Sequence, residues 1–196
     1  MQSELDRFEL AVKANMSVYE VELTAETLAL LRTYYSLLIR WNERLHLVAP
    51  CSPEEFATRH VLESLMLLKH LPSQAKIADI GPGGGLPIVP CLIARADLNV
   101  TMIESSQKKA VFLREALNAV GRTASILARR FEDVEPPEVE FITCRALDQF
   151  IRKIRVLLDW APDGSTLLVF GGENLLDGER FLIPGSEKRY LFRVKT

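Results

Sequence analysis

The 196-residue chain is short of cysteine, of net charge and of long apolar runs, and each shortage excludes something. Three cysteines (Cys51, Cys91 and Cys144) are too few and too far apart for a disulfide framework. With no Cys-x-x-Cys pair and no clustered histidines they form no zinc site either, so reduced thiols and no metal are expected. Twenty-four basic against 26 acidic residues leave a formal charge of −2, neither a polycation nor an acidic disordered tail. The longest apolar run, Leu86–Ala94, is broken by Pro87 and Pro90 and falls far short of the ~20 residues that span a bilayer. Charges at Glu4, Asp6, Arg7, Glu9 and Lys13 are incompatible with a secretory signal over the same stretch. A soluble cytoplasmic protein without membrane association is the expectation.

What is present changes character near residue 75. Before it the signals are helical. Leu28, Leu31, Tyr35, Leu38, Trp41 and Leu45 recur at spacings of three and four after a Thr24 cap. Ser52-Pro53-Glu54-Glu55 is a capping box that opens a further helix, ended by Pro72, and a first helix is read over Ser3–Ala14. After residue 75, short apolar runs at Lys76–Ile80, Val100–Glu104, Ala124–Leu127, Val139–Cys144 and Thr166–Phe170 alternate with helix-like stretches, most clearly Ser106–Val120. That alternation predicts βαβ units and a mostly parallel sheet covered on both faces, with Tyr190–Lys195 as an edge strand. The reading is one α/β domain: a helical N-terminal cap over residues 1–74 and a ligand-binding core over 75–196.

The most informative segment is Asp79-Ile80-Gly81-Pro82-Gly83-Gly84-Gly85-Leu86, where the first strand turns toward a helix. Glycines at 81, 83 and 85 permit positive φ and remove side chains that would keep a ligand from the backbone. Glu104 stands 19 residues beyond Gly85 at the end of the second strand, where a carboxylate can accept two hydrogen bonds from a ribose. No Gly-Lys-Ser/Thr follows, which excludes a P-loop, and the glycine spacing is not that of dinucleotide binders. Asp79 would repel a pyrophosphate but suits an ammonium such as that of S-adenosylmethionine. At this point a dinucleotide, S-adenosylmethionine and a turn that merely packs a helix on a strand all stand as readings.

Over most of its length the chain resembles the RsmG (GidB) family of bacterial small-subunit ribosomal RNA methyltransferases. The shared residues run from Trp41-Asn42 through Pro53-Glu54-Glu55-Phe56, Thr58-Arg59-His60-Val61-Leu62-Glu63-Ser64 and the Asp79–Pro87 turn. They continue through Glu104-Ser105-Ser106-Gln107-Lys108-Lys109, Phe112-Leu113-Arg114-Glu115, Arg129-Arg130-Phe131-Glu132 and Thr143-Cys144-Arg145-Ala146. The resemblance implies a class I, Rossmann-like methyltransferase fold, S-adenosylmethionine as cofactor, and methylation of N7 of a guanine in 16S ribosomal RNA. It places cofactor contacts on Gly81, Leu86, Phe131, Glu132 and Arg145, and RNA contacts on Asn42, Arg59 and Arg189. Departures are Glu63 for the usual Asp, His46 for Asn, Pro82 for Ser or Thr, Gly171-Gly172 for Lys-Gly, and Arg189-Tyr190 for Arg-His.

Guanine N7 carries an in-plane lone pair, so no proton must leave before it attacks a methyl group, and no general base is expected. Catalysis is then expected from orientation, with Glu63 available to stabilise the cationic product and Arg145 to pair with a phosphate or carboxylate. His60 reads either as a neighbour of cofactor or base or as a buried helix histidine. Arg59 and Glu63, four apart, read as an ion pair on one helix face. Lys108, Lys109, Arg114, Arg129, Arg130, Arg152, Lys153, Arg155, Arg189 and Arg193 are the cations available to RNA phosphates.

Overall fold

The computed structural model describes residues 3–145 and 153–196; Ala146 and Arg152 lie outside them. Helix α1 (Glu4–Asn15) starts at a reciprocal capping box between Ser3 and Asp6. Helix α2 (Ala25–Leu45) starts at Thr24, whose side chain accepts from the Thr27 amide. It ends at His46 in the left-handed conformation, φ 48°, which an Asn adopts more readily. A third helical run, α3 (53–70), opens as α-helix at Pro53–Glu55 under the Ser52 cap. It widens into a π-helix over Phe56–Leu62 and returns to α-helix at Glu63–Leu65. It then tightens to a 3-10 helix at Met66–His70. Phe8 of α1 stacks on Tyr35 of α2 with centroids 4.4 Å apart, and Tyr35 meets Phe56 of α3 at 4.8 Å. One aromatic cluster thus binds the three helical runs together.

The sheet follows. Its strands are β1 (Lys76–Ile80), β2 (Asn99–Ile103), β3 (Ser125–Leu127), β4 (Phe141–Cys144), β5 (Thr166–Gly172), β6 (Glu179–Leu182) and β7 (Arg189–Lys195), in the order β3-β2-β1-β4-β5-β7-β6. β1 to β5 pair in parallel, whereas β7 runs antiparallel to both β5 and β6. Helices α4 (Ile88–Ala94), α5 (Gln107–Ala119) and α6 (Ile154–Trp160) complete the α/β part.

The alternation within each strand divides the core. Ile77, Met102, Leu168 and Phe170 join the layer containing α1 to α5. Ala78, Ile80, Ile142 and Val169 face the opposite layer with α6. Apolar runs that bury both faces are what a parallel core requires. One expectation needs correction. Tyr190–Lys195 is not an edge strand: β7 lies between β5 and β6, and the edge is the four-residue β6. Pairing on both sides of β7 satisfies its backbone, while the short β6 leaves little open edge.

Candidate active site

The order of strands reverses between β1 and β4, and the carboxyl ends there form the crevice in which open α/β sheets bind ligands. The glycine turn leaves β1 at this place. The Gly81 amide donates to the Ile103 carbonyl at 2.9 Å, and the Pro82 carbonyl accepts from Gly85 and Leu86 at 2.8 and 3.0 Å. Gly81, Gly83 and Gly85 have φ of 66°, 55° and 88°. A Cβ on Gly81 would meet nothing within 4 Å, and one on Gly83 would approach only the Gly81 carbonyl and Lys109 Nζ, at 3.9 and 4.0 Å. The outer face of the turn is therefore open. Gly85 is required for a different reason: its Cβ would lie 2.6 Å from Val89 Cγ2.

Glu104, which directly follows β2, closes the other side. Its Oε2 accepts from the Gly83 amide at 2.9 Å and its Oε1 from Ser106 at 2.8 Å. Each oxygen keeps a second lone pair, so the carboxylate orders the turn and retains capacity for a ribose. An open glycine face beside an anchored carboxylate fits an adenosine-bearing cofactor. Lys109, grouped with the phosphate-binding cations in the sequence, instead faces this turn. Asp79 is fully buried in β1, and the Ile88 backbone N–H offers its carboxyl only a weak hydrogen bond. Burial first, and Glu104 nearby, push its pKa well above the usual carboxylate range. Leu86 is buried at the end of the turn.

A second group occupies the same rim further along. Glu63, 1% exposed, places Oε2 2.8 Å from Arg145, which follows β4, and Oε1 against Arg189, which opens β7. Arg145 also donates to the carbonyl of His60 at 3.2 Å and to that of Arg59, and its guanidinium lies 5.6 Å from the Phe170 ring. Burial lowers its pKa to about 10, against the pull of Glu63, so it remains a cation at neutral pH. The π-helix accounts for this pairing. The Glu63 amide bonds the Thr58 carbonyl five residues back, so the turn is wider than an α-turn and presents its carbonyls to Arg145. Arg59 pairs with Glu55 at 2.6 Å rather than with Glu63 as its spacing suggested. His60 packs on Phe56 at 5.1 Å, and its buried Nδ1 has no partner. Burial first, then Arg145, Arg59 and Arg189, lower its pKa to about 3. A cleft of about 400 Å³ opens beside the group, lined in part by Tyr19, Thr58, Arg59, Glu63, Ser186 and Arg189.

Phe131 and Glu132 follow β3. Phe131 meets Trp160 edge-on at 5.6 Å, and Glu132 accepts from Lys153 at 2.9 Å and Arg130 at 3.2 Å. Asn42 Oδ1 accepts from the Val48 amide at 2.9 Å and so closes the loop whose Leu47 packs against Gly84. At Gly171 a Cβ would fall on the Leu175 side chain, which fills the space of the missing lysine. The apolar stripe of α2 reads in the sequence as packing alone, yet Tyr34 within this helix donates its hydroxyl to the Gly84 carbonyl at 2.5 Å. The signal was a phenol within an apolar stripe, since a buried hydroxyl needs a partner. Among the described residues no group of three or more His, Cys, Asp or Glu is placed to hold a metal ion. No helix among them is long and apolar enough to cross a membrane.

Residues 27–179 match the family described as GidB, rRNA small subunit methyltransferase G. The chain belongs to this family. Ribosomal RNA small subunit methyltransferase G of Chromobacterium violaceum is 34% identical over 165 residues, 82% of this chain and 78% of that protein. The protein of the same name from Xanthomonas campestris pv. campestris (strain B100) is 40% identical over 152 residues, 76% of this chain and 71% of its own. Two solved structures share the fold. A SAM-dependent methyltransferase from Aquifex aeolicus has a TM-score of 0.54 at 12% identity, over 71% of this chain and 91% of its own. TYW2 of M. jannaschii in complex with AdoMet has a TM-score of 0.52 at 10% identity, over 68% and 73%. The matched residues 27–179 include the glycine turn and Glu104.

Proposed function

We propose that the protein methylates N7 of a guanine in 16S ribosomal RNA, acting in the cytoplasm on naked RNA or on a small-subunit particle. It is an S-adenosylmethionine-dependent ribosomal RNA methyltransferase by family, and the match over residues 27–179 is the observation that carries the reading. S-adenosylmethionine supplies an electrophilic methyl group. Gly81, Gly83 and Leu86 line its place, Glu104 holds the ribose, and Phe131 and Glu132 border it. Asp79, the acid that the sequence assigns to the ammonium, is wholly buried beneath the turn with its pKa raised, so it supports the turn rather than pairing with the ammonium.

No residue needs to remove a proton, because N7 reacts through a lone pair. The rim therefore works by orientation, which supplies ~7–11 kcal/mol when two reactants are held in line. Glu63, buried with both oxygens committed to Arg145 and Arg189, organises this rim rather than stabilising the cationic product as the sequence suggests, and His60, neutral at physiological pH, packs beside it. Arg59 and Arg189 contact RNA phosphates from the adjoining cleft. Asn42 acts through the loop it closes. Residues 1–74 serve as a cap on the 75–196 core, which α2 supports through Tyr34 and Leu38.

Mass mapping of 16S ribosomal RNA from cells with and without the protein tests the proposal. One guanine should carry a methyl group at N7 only when the protein is present. An identical map in both cells refutes the RNA assignment.

A further inference from the structure

Packing explains the ring of Tyr34 but not its hydroxyl. Tyr34 is fully buried in the apolar stripe of α2, 6.4 Å from the Phe56 ring, and burial raises its pKa, so the group is a donor. A phenylalanine would fill the same volume without burying a polar group, and only a hydrogen bond offsets that burial. The bond made is to the Gly84 carbonyl, inside the cofactor turn.

The Gly84–Gly85 peptide is thereby held at both ends, its carbonyl by Tyr34 and its N–H by the Pro82 carbonyl at 2.8 Å. One residue earlier, Glu104 holds the Gly83 amide. Leu38 of α2 and Leu47 each lie 3.4 Å from where a Gly84 Cβ would be, so helix and turn are in close approach. A run of three glycines has more conformational freedom to lose than any other sequence, and a loop that orders only on binding weakens affinity by that loss.

We propose that Tyr34 is a positioning residue for the cofactor turn: its hydroxyl fixes the Gly84 peptide from the helical layer and pre-forms the surface that receives S-adenosylmethionine. The inference rests on the cofactor reading above and adds a role for the α2 helix.

Tyr34→Phe in the full chain tests it, with two readouts. In the cofactor-free protein, amide hydrogen exchange at residues 83–86 should rise at least roughly five-fold, while β1 amides stay as in wild type. Calorimetric titration with S-adenosylmethionine should show a Kd raised roughly five-fold, equivalent to one net hydrogen bond of about 1 kcal/mol, with the KM for RNA unchanged. Leu31→Ala, a fully buried change in the same stripe, should lower thermal stability and leave both readouts unchanged. Wild-type exchange and Kd in Tyr34→Phe overturn the proposal, as does Leu31→Ala giving the same shifts. Wild-type protein that binds no S-adenosylmethionine overturns the cofactor reading together with this one.

Discussion

His60 couples folding to pH with a sign and size that can be worked out. Its Nδ1 is buried without a partner, the Phe56 ring packs on it, and three arginines surround it. The folded protein therefore holds its pKa near 3, against an ordinary 6.5. When pH falls below 6.5 the unfolded chain takes up a proton that the folded chain refuses. The contribution to stability is complete above pH 6.5 and is lost progressively toward pH 3, with a limiting slope of ~1.4 kcal/mol per pH unit. Between the ordinary pKa and about pH 5 the loss integrates to about 1.6 kcal/mol, a roughly fifteen-fold change in the folding equilibrium. Urea unfolding followed by tryptophan fluorescence at a series of pH values measures it. His70 is also lowered by burial and contributes with the same sign, so the decisive quantity is the difference between wild type and His60→Gln. The variant should lose about 1.6 kcal/mol of pH dependence over that window. A variant that keeps the full slope, or a wild type with none, refutes the reasoning.

Three further outcomes are expected. Gly85→Ala combines a left-handed φ of 88° with a Cβ 2.6 Å from Val89, and should cost about 2–5 kcal/mol in thermal unfolding, partly recovered by Val89→Ala. Arg145→Ala leaves Glu63 buried with only the half-exposed Arg189, and should cost about 3–5 kcal/mol in urea. Glu104→Gln gives the Ser106 and Gly83 amides one good acceptor instead of two; S-adenosylmethionine affinity by calorimetry should fall roughly ten-fold or more, with the circular dichroism spectrum retained.

The glycine turn, the carboxylate after β2 and the parallel strands were legible because each is a local pattern: residue types at fixed spacing, or apolar runs of strand length. The partner of Glu63 was not. A spacing of four pointed to Arg59 on the assumption of α-helical geometry, and nothing within seven residues distinguishes a π-helix from an α-helix. The true partners stand 82 and 126 residues further along the chain, a juxtaposition that only the closed sheet creates. The interior place of β7 was hidden for a related reason. Alternation reports which side chains face the core, and it reads the same whether one or both flanks are paired. Residue type groups Lys109 with the phosphate-binding cations and says nothing of Tyr34, and only the path of the turn shows that both face it.

The position of β7 also bears on synthesis. β6 joins the sheet through β7, yet it leaves the ribosome first, and the pairing surface it needs is translated only afterwards. Since nascent chains fold from the N-terminal side, the parallel strands can assemble early while Glu179–Leu182 waits as an unpaired ribbon. Premature termination before Arg189 would leave β5 with a bare flank and deprive Glu63 of one of its two arginines, making such a fragment prone to aggregation.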